Sequence, residues 1–167
     1  MVKCAYCENI KRKVYEDKDL VAFLKEDPSI TGHIVLIPKE HHTILEQVPE
    51  EISGQLFLVA NQISSILFEV FGAEGTNILI QNGSEAGQKI PHVSLNILPR
   101  KQGDGLNFDW EAKQLDKEEM GVVELKLKEA CKNIIIGKKE EKVKEIIEEK
   151  EEVKNSDWID KILLRLP

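Results

Sequence analysis

The chain has 167 residues, of which 41% are hydrophobic and 32% charged, with a formal net charge of −7. One domain with a small appendage is expected, burying roughly two-thirds of the surface that the unfolded chain exposes. The acidic balance lacks the Lys/Arg stripe that a binder of phosphate backbones needs. No run approaches the ~20 apolar residues of a membrane span, and Met1-Val2-Lys3-Cys4 is not followed by an apolar signal region, so a cytoplasmic protein is expected, with neither nucleic acid nor membrane as partner.

The first informative element is Cys4-Ala5-Tyr6-Cys7. In a reducing compartment this two-residue gap points to metal or redox chemistry before a disulfide. Two thiolates so spaced can grip one tetrahedral ion, which then needs two further ligands. Redox pairs of the thioredoxin type sit between a strand and a helix, whereas this one lies at the start of the chain. The residues alone leave Zn²⁺, a redox pair and plain thiols open. The chain holds four histidines, and His41 or His42 with His92 are the candidate partners. Cys131, alone in an apolar helical run, is expected to be buried.

Val14 to Asp19 and Leu20 to Leu24 read as two short strands around an acidic turn. Asp27-Pro28-Ser29-Ile30-Thr31-Gly32 is a loop, and His33 to Pro38 a third strand ended by proline. Pro49-Glu50-Glu51 opens a long helix with apolar residues at Ile52, Leu56, Val59, Ile63, Ile66, Leu67 and Val70, and Gly72 is placed to end it. A β-type run, Asn77 to Gln81, leads into the polar loop Asn82 to Gln88 and a strand from Val93 to Leu98 closed by Pro99. A glycine-bearing loop before a strand can cradle a phosphate, and a plain hairpin loop reads equally well.

Residues 101 to 111 look like a loop leading away from the sheet. From Glu118 a helical pattern places Val122, Leu125, Cys131 and Ile135 on one face, Gly137 interrupts it, and a Lys/Glu run reaches Lys154. A last short helix capped by Ser156 or Asp157 would bury Trp158, Ile162 and Leu166. Trp110 and Trp158 are the expected anchors of this tail.

The string Gln81-Asn82-Gly83-Ser84-Glu85-Ala86-Gly87-Gln88-x-Ile90-x-His92-Val93-x-Leu95-x-Ile97-Leu98-Pro99-Arg100-Lys101-x-Gly103-Asp104 resembles the signature of the histidine-triad (HIT) superfamily, and most of all its fragile-histidine-triad branch. The resemblance extends upstream through Tyr15-Glu16-Asp17, Ala22-Phe23-Leu24, Pro28, Gly32-His33 and Ile37-Pro38-Lys39-x-His41, about 105 residues in family order. It implies an α+β, HIT-like fold: a five-stranded antiparallel sheet with a long helix over residues 1–105, followed by a mostly helical extension over residues 106–167. It further implies a homodimer with joined sheets, and chemistry at the α-phosphorus of a nucleotide through a nucleotidyl-histidine. Microbial members bind zinc through an N-terminal Cys-x-x-Cys, the histidine of Pro-Lys-x-His and the first triad histidine. Carried over, those ligands are Cys4, Cys7, His41 and His92, which leaves His42 a surface neighbour.

The departures from the family pattern are in the triad, which reads His92-Val93-Ser94-Leu95-Asn96. Serine stands where the nucleophile belongs and is inert near neutral pH without a base. Asn96 takes the third position and cannot shuttle a proton. Lys25 stands where the family usually carries Asp or Asn for the ribose hydroxyls. Gln81, Asn82 and Gln88, with Lys25, Ser94 and Asn96, are the candidate contacts to a purine nucleotide or another phosphate-like anion. The expected protein is a zinc-stabilised HIT domain that binds nucleotide without nucleotidyl-histidine catalysis. The alternatives are an enzyme of this lineage acting through Ser94 or a metal-bound water on dinucleoside polyphosphates or nucleoside monophosphate derivatives, and a structural or partner-binding module.

Overall fold

The computed structural model describes residues 4–134. The expected break at Gly137, the Lys/Glu run and the helix carrying Trp158, Ile162 and Leu166 lie outside the described residues. A four-residue helix α1 (Ala5–Glu8) precedes strands β1 (Lys13–Glu16), β2 (Leu20–Leu24) and β3 (Ile34–Pro38). Helix α2 (Glu50–Phe71), β4 (Gly75–Ile80), β5 (Leu95–Arg100) and α3 (Lys117–Cys131) follow, with short 3-10 turns at Leu45–Gln47 and Ser84–Ala86. The strands form one antiparallel sheet in the order β1-β2-β3-β5-β4.

Local chemistry explains the connections. Asp17 turns β1 into β2 by accepting the backbone N–H groups of Asp19 and Leu20 at 2.8 and 2.7 Å. Helix α2 begins after Pro49 with two acids in its first turn and ends at Gly72, whose φ of +57° suits glycine. Strand β5 runs past Pro99 to Arg100 because it pairs with β3 only through Ile97, while Thr76 of β4 is the register partner of Pro99. The missing N–H of that proline therefore falls where one neighbour has already left the ladder.

The sheet separates two apolar layers. Leu20, Ala22, Ile34, Leu36, Leu95 and Ile97 face Leu56, Ala60, Ile63 and Leu67 of α2. On the other face Val21, Phe23, Val35 and Ile37 are joined by Tyr6 and Ile10 from the N-terminal segment. By length and composition alone α2 could cross a membrane, which corrects the reading that no stretch could. Its inward stripe is buried against the sheet, while Ile66 and Val70, expected on that stripe, are exposed. The helix is apolar over a wider arc than the core uses.

Contacts divide the chain into one unit ending at Asp109 and another beginning at Trp110. Arg100 ties the segment after β5 to the first unit. Its guanidinium donates to the Asp104 carboxylate at 2.6 and 2.9 Å, to the side-chain oxygen of Asn77 and to the Leu106 carbonyl, and it lies 5.2 Å from the Phe108 ring. The same guanidinium holds Asp104 far below the usual carboxylate range. Within the second unit, α3 is capped by Asp116, which accepts from the backbone of Glu118 and Glu119. Cys131 is exposed, as are Val122, Leu125 and, at 85%, Trp110. These residues do not take the buried positions that their apolar character predicts, because α3 buries no residue.

Candidate metal centre and anion site

Cys4 and Cys7 converge because the chain closes a helical turn between them, with the Cys7 N–H on the Cys4 carbonyl at 3.0 Å. His92 arrives from the segment before β5 and His41 from the turn after β3. The ligating atoms of Cys4, Cys7, His41 and His92 all lie within 4.8 Å of one another. His92 Nδ1 is 3.4 Å from Cys4 Sγ and 3.5 Å from Cys7 Sγ, and His41 Nδ1 is 3.4 Å from Cys7 Sγ.

Those separations can be compared with a tetrahedral ion. Bonds of about 2.3 Å to sulfur and about 2.0–2.1 Å to nitrogen place sulfur and nitrogen about 3.6 Å apart across a tetrahedral angle. The His92 ring is also prepared for such a role. Its Nε2–H donates to the Pro38 carbonyl at 2.9 Å, so Nδ1 presents a lone pair toward the sulfurs. Two thiols contending for that one lone pair would leave a proton poorly placed, whereas one cation serves all four atoms. Cys4 and His92 are buried, Cys7 and His41 exposed. Burial holds the His92 pKa below its ordinary value.

His42 is not the surface neighbour expected. Its side chain is only 12% exposed, and its backbone carbonyl accepts the Val93 N–H at 2.8 Å. That bond anchors the chain beside His92, while the ring Nε2 lies 3.8 Å from Glu40 and is not part of the cluster of four ligand atoms.

Beyond His92 the strand alternates. Val93, Leu95 and Ile97 enter the core beneath α2, and Ser94 and Asn96 belong to the opposite face. The Ser94 hydroxyl makes no hydrogen bond to a histidine or carboxylate among the described residues. Asn96 Oδ1 meets His33 Nε2 at 3.0 Å. Burial pushes the His33 pKa down, the Asn96 contact offsets this in part, and the Lys25 ammonium lowers it further. Lys25 shares with Phe23, Tyr6, Ile10 and Ile90 a cleft of about 420 Å³. Its ammonium makes no ion pair among the described residues.

The loop candidates divide. Asn82 donates to both carboxylate oxygens of Glu46 at 2.8 Å and accepts the Leu45 N–H at 2.9 Å. Gln88 accepts from the Gly83 N–H and donates to the carbonyls of Thr43, Ile90 and His92. Both side chains hold the loop and the His92 backbone in place, which occupies the atoms a phosphate would need. Gln81 is exposed and lies over Gly87, where a Cβ would come within 2.7 Å of its amide nitrogen and where φ is +85°.

The HIT domain profile matches residues 7–103 of the chain. The chain belongs to the HIT family. An adenylylsulfatase of Arabidopsis thaliana is 31% identical over 77% of this chain and 70% of its own length. An adenosine 5'-monophosphoramidase of Candida albicans is 29% identical over 75% of this chain and 90% of its own. A zinc-bound histidine triad protein of Mycobacterium smegmatis superposes with a TM-score of 0.60, at 30% identity over 76% of this chain and 96% of that one. In this HIT protein the residues that sequence reasoning passed over are His33, which had no assigned role, and the cleft walls Tyr6, Ile10 and Ile90. The signal for the cleft was the β2 alternation, which puts Phe23 on the face of Val21, with Lys25 just past the strand end lining the same cleft.

Proposed function

We propose that this HIT protein holds a structural Zn²⁺ through Cys4, Cys7, His41 and His92, binds a nucleotide on the adjoining sheet face, and forms no nucleotidyl-histidine. The observation that carries the reading is the His92 ring, with Nε2 on the Pro38 carbonyl and Nδ1 among the thiols. With both nitrogens engaged, the one histidine left in the triad has no free nitrogen for chemistry at phosphorus. Bound there, zinc supplies charge and a cross-link between three chain segments, and a closed four-ligand site leaves no position for an activated water. Ser94, without a base, keeps its proton.

Nucleotide as the ligand class rests on the names of the relatives, both of which act on adenylyl compounds, and on the cleft walled by Tyr6 and Phe23 beside Lys25. The β4 edge, with Ile78 exposed, is where a second copy would extend the sheet into a homodimer. Thiols committed to a metal suit the reducing cytoplasm. Titration calorimetry with AMP at neutral pH tests the reading and should give saturable binding with a dissociation constant below about 1 mM, a standard free energy of about −4 kcal/mol or better. No heat of binding at millimolar AMP contradicts it.

A further inference from the structure

One side of the cleft beside Lys25 is built on a segment with few ties to the sheet. Residues 5–11 supply that side, with Tyr6 and Ile10 set against Phe23 and Ile90. Among the described residues the backbone hydrogen bonds of residues 4–11 stay within the N-terminal turn, from Cys7 and Glu8 to the Cys4 carbonyl. The first strand pairing begins only at Lys13, opposite Phe23. Helix α1 buries no residue of its own and has no side-chain cap. The segment joins β1 through Arg12, whose carbonyl accepts the Leu24 N–H at 3.1 Å and whose φ of +52° is a left-handed conformation that a bulky side chain seldom adopts. The backbone at that joint resists the seated position and does not enforce it.

Side chains must therefore fasten the segment. Tyr6 packs edge-on to Phe23 with ring centres 5.3 Å apart, and Ile10 joins the same apolar layer. Lys11 reaches Glu26 at 3.7 Å, but both are well exposed and such a pair contributes little. The remaining ties are Cys4 and Cys7, which bracket Tyr6 within a single helical turn. His92 serves both sets of contacts, since its Nδ1 faces the two sulfurs while its ring lies edge-on to Tyr6 at 6.0 Å. An ion shared by Cys4, Cys7, His41 and His92 would pin the turn on both sides of the tyrosine.

We infer that Cys4 and Cys7, through the ion they share, hold Tyr6 in place as the closing wall of the nucleotide cleft, so that this chain binds zinc and nucleotide cooperatively. The inference rests on the metal and nucleotide readings and goes beyond both, because an ion that only staples the fold keeps the same affinity whether the cleft is full or empty. Without the ion, a ligand has to seat the turn itself, and its affinity falls by the fraction of molecules in which the wall stands. Linkage makes the effect reciprocal. The factor by which zinc tightens AMP is the factor by which AMP tightens zinc.

The test is the zinc affinity of the full wild-type chain, measured by competition with a chelating indicator, with and without saturating AMP. Free zinc is set by the chelator, so that AMP's own hold on the ion does not enter. AMP should tighten zinc about 10-fold, and zinc-free Cys7→Ser, studied below its melting transition, should bind AMP about 10-fold more weakly than wild type by calorimetry. Tyr6→Ala keeps all four ligands and should hold stoichiometric zinc, yet lose the gain that AMP brings. A wild-type zinc affinity that is the same with AMP bound overturns the inference and leaves the metal and nucleotide readings standing, and this arm needs no variant to fold. A Tyr6→Ala protein that keeps the full gain overturns the role of Tyr6. A zinc-loaded wild type that binds no AMP overturns the nucleotide reading, and the inference with it.

Discussion

Replacing Cys4 by serine is expected to abolish stoichiometric zinc and to lower the melting temperature by more than about 10 °C. The four candidate ligands come from the N-terminal turn at α1, from the turn after β3 and from the segment before β5, so one ion held there would join three places that are far apart in sequence. In peptides with no other core a structural zinc supplies about 10–16 kcal/mol of apparent folding free energy. Here two apolar layers also stabilise the fold, so the expected loss is a fraction of that, several kcal/mol. At about 2–4 °C for each kcal/mol in a chain of this size, the shift exceeds about 10 °C. Cys4 is buried and Cys7 exposed, which provides the control. Serine at Cys7 disturbs no packing, so a similar fall there is owed to the metal. A protein that is metal-free as purified and melts unchanged in both variants contradicts the assignment.

The second large effect is a gain. Placing histidine at both Ser94 and Asn96 restores a nucleophile and an acid/base group on the sheet face where the wild type offers a hydroxyl and an amide. Hydrolysis of an adenosine 5'-phosphoramidate should rise at least about 100-fold above wild type, because positioned acid–base groups alone contribute about 10²–10⁴. Ser94→His alone should recover less, since an amide at Asn96 cannot exchange a proton. The reading is contradicted if the wild type already turns the substrate over and Ser94→Ala removes that activity.

Much of this arrangement was legible in the sequence where local chemistry decides. Asp17, Gly72 and the alternation of β5 mark turns and faces that the structure keeps, and the strand–helix order follows from them. The choice between His41 and His42 was open from the residues alone and was narrowed by family resemblance. In the structure the His42 backbone supports Val93 while the His41 ring reaches Cys7. What could not be read depends on partners distant in the chain. His33 and Asn96 are 63 positions apart, and no local pattern links them. Asn82 and Gln88 look like phosphate contacts from composition, yet their bonds close the loop on Glu46, Leu45 and Thr43. Apolar character misled at Cys131 and Trp110 because it marks a preference for burial and supplies no partner to bury against.

The most direct test of a zinc-held, nucleotide-binding HIT domain without catalysis is a single ³¹P NMR experiment on the wild-type protein with an adenosine 5'-phosphoramidate at neutral pH. The substrate resonance should shift or broaden as protein is added, and no AMP resonance should grow above the protein-free rate. An AMP resonance that grows with protein concentration, and is absent with Ser94→Ala, contradicts the account.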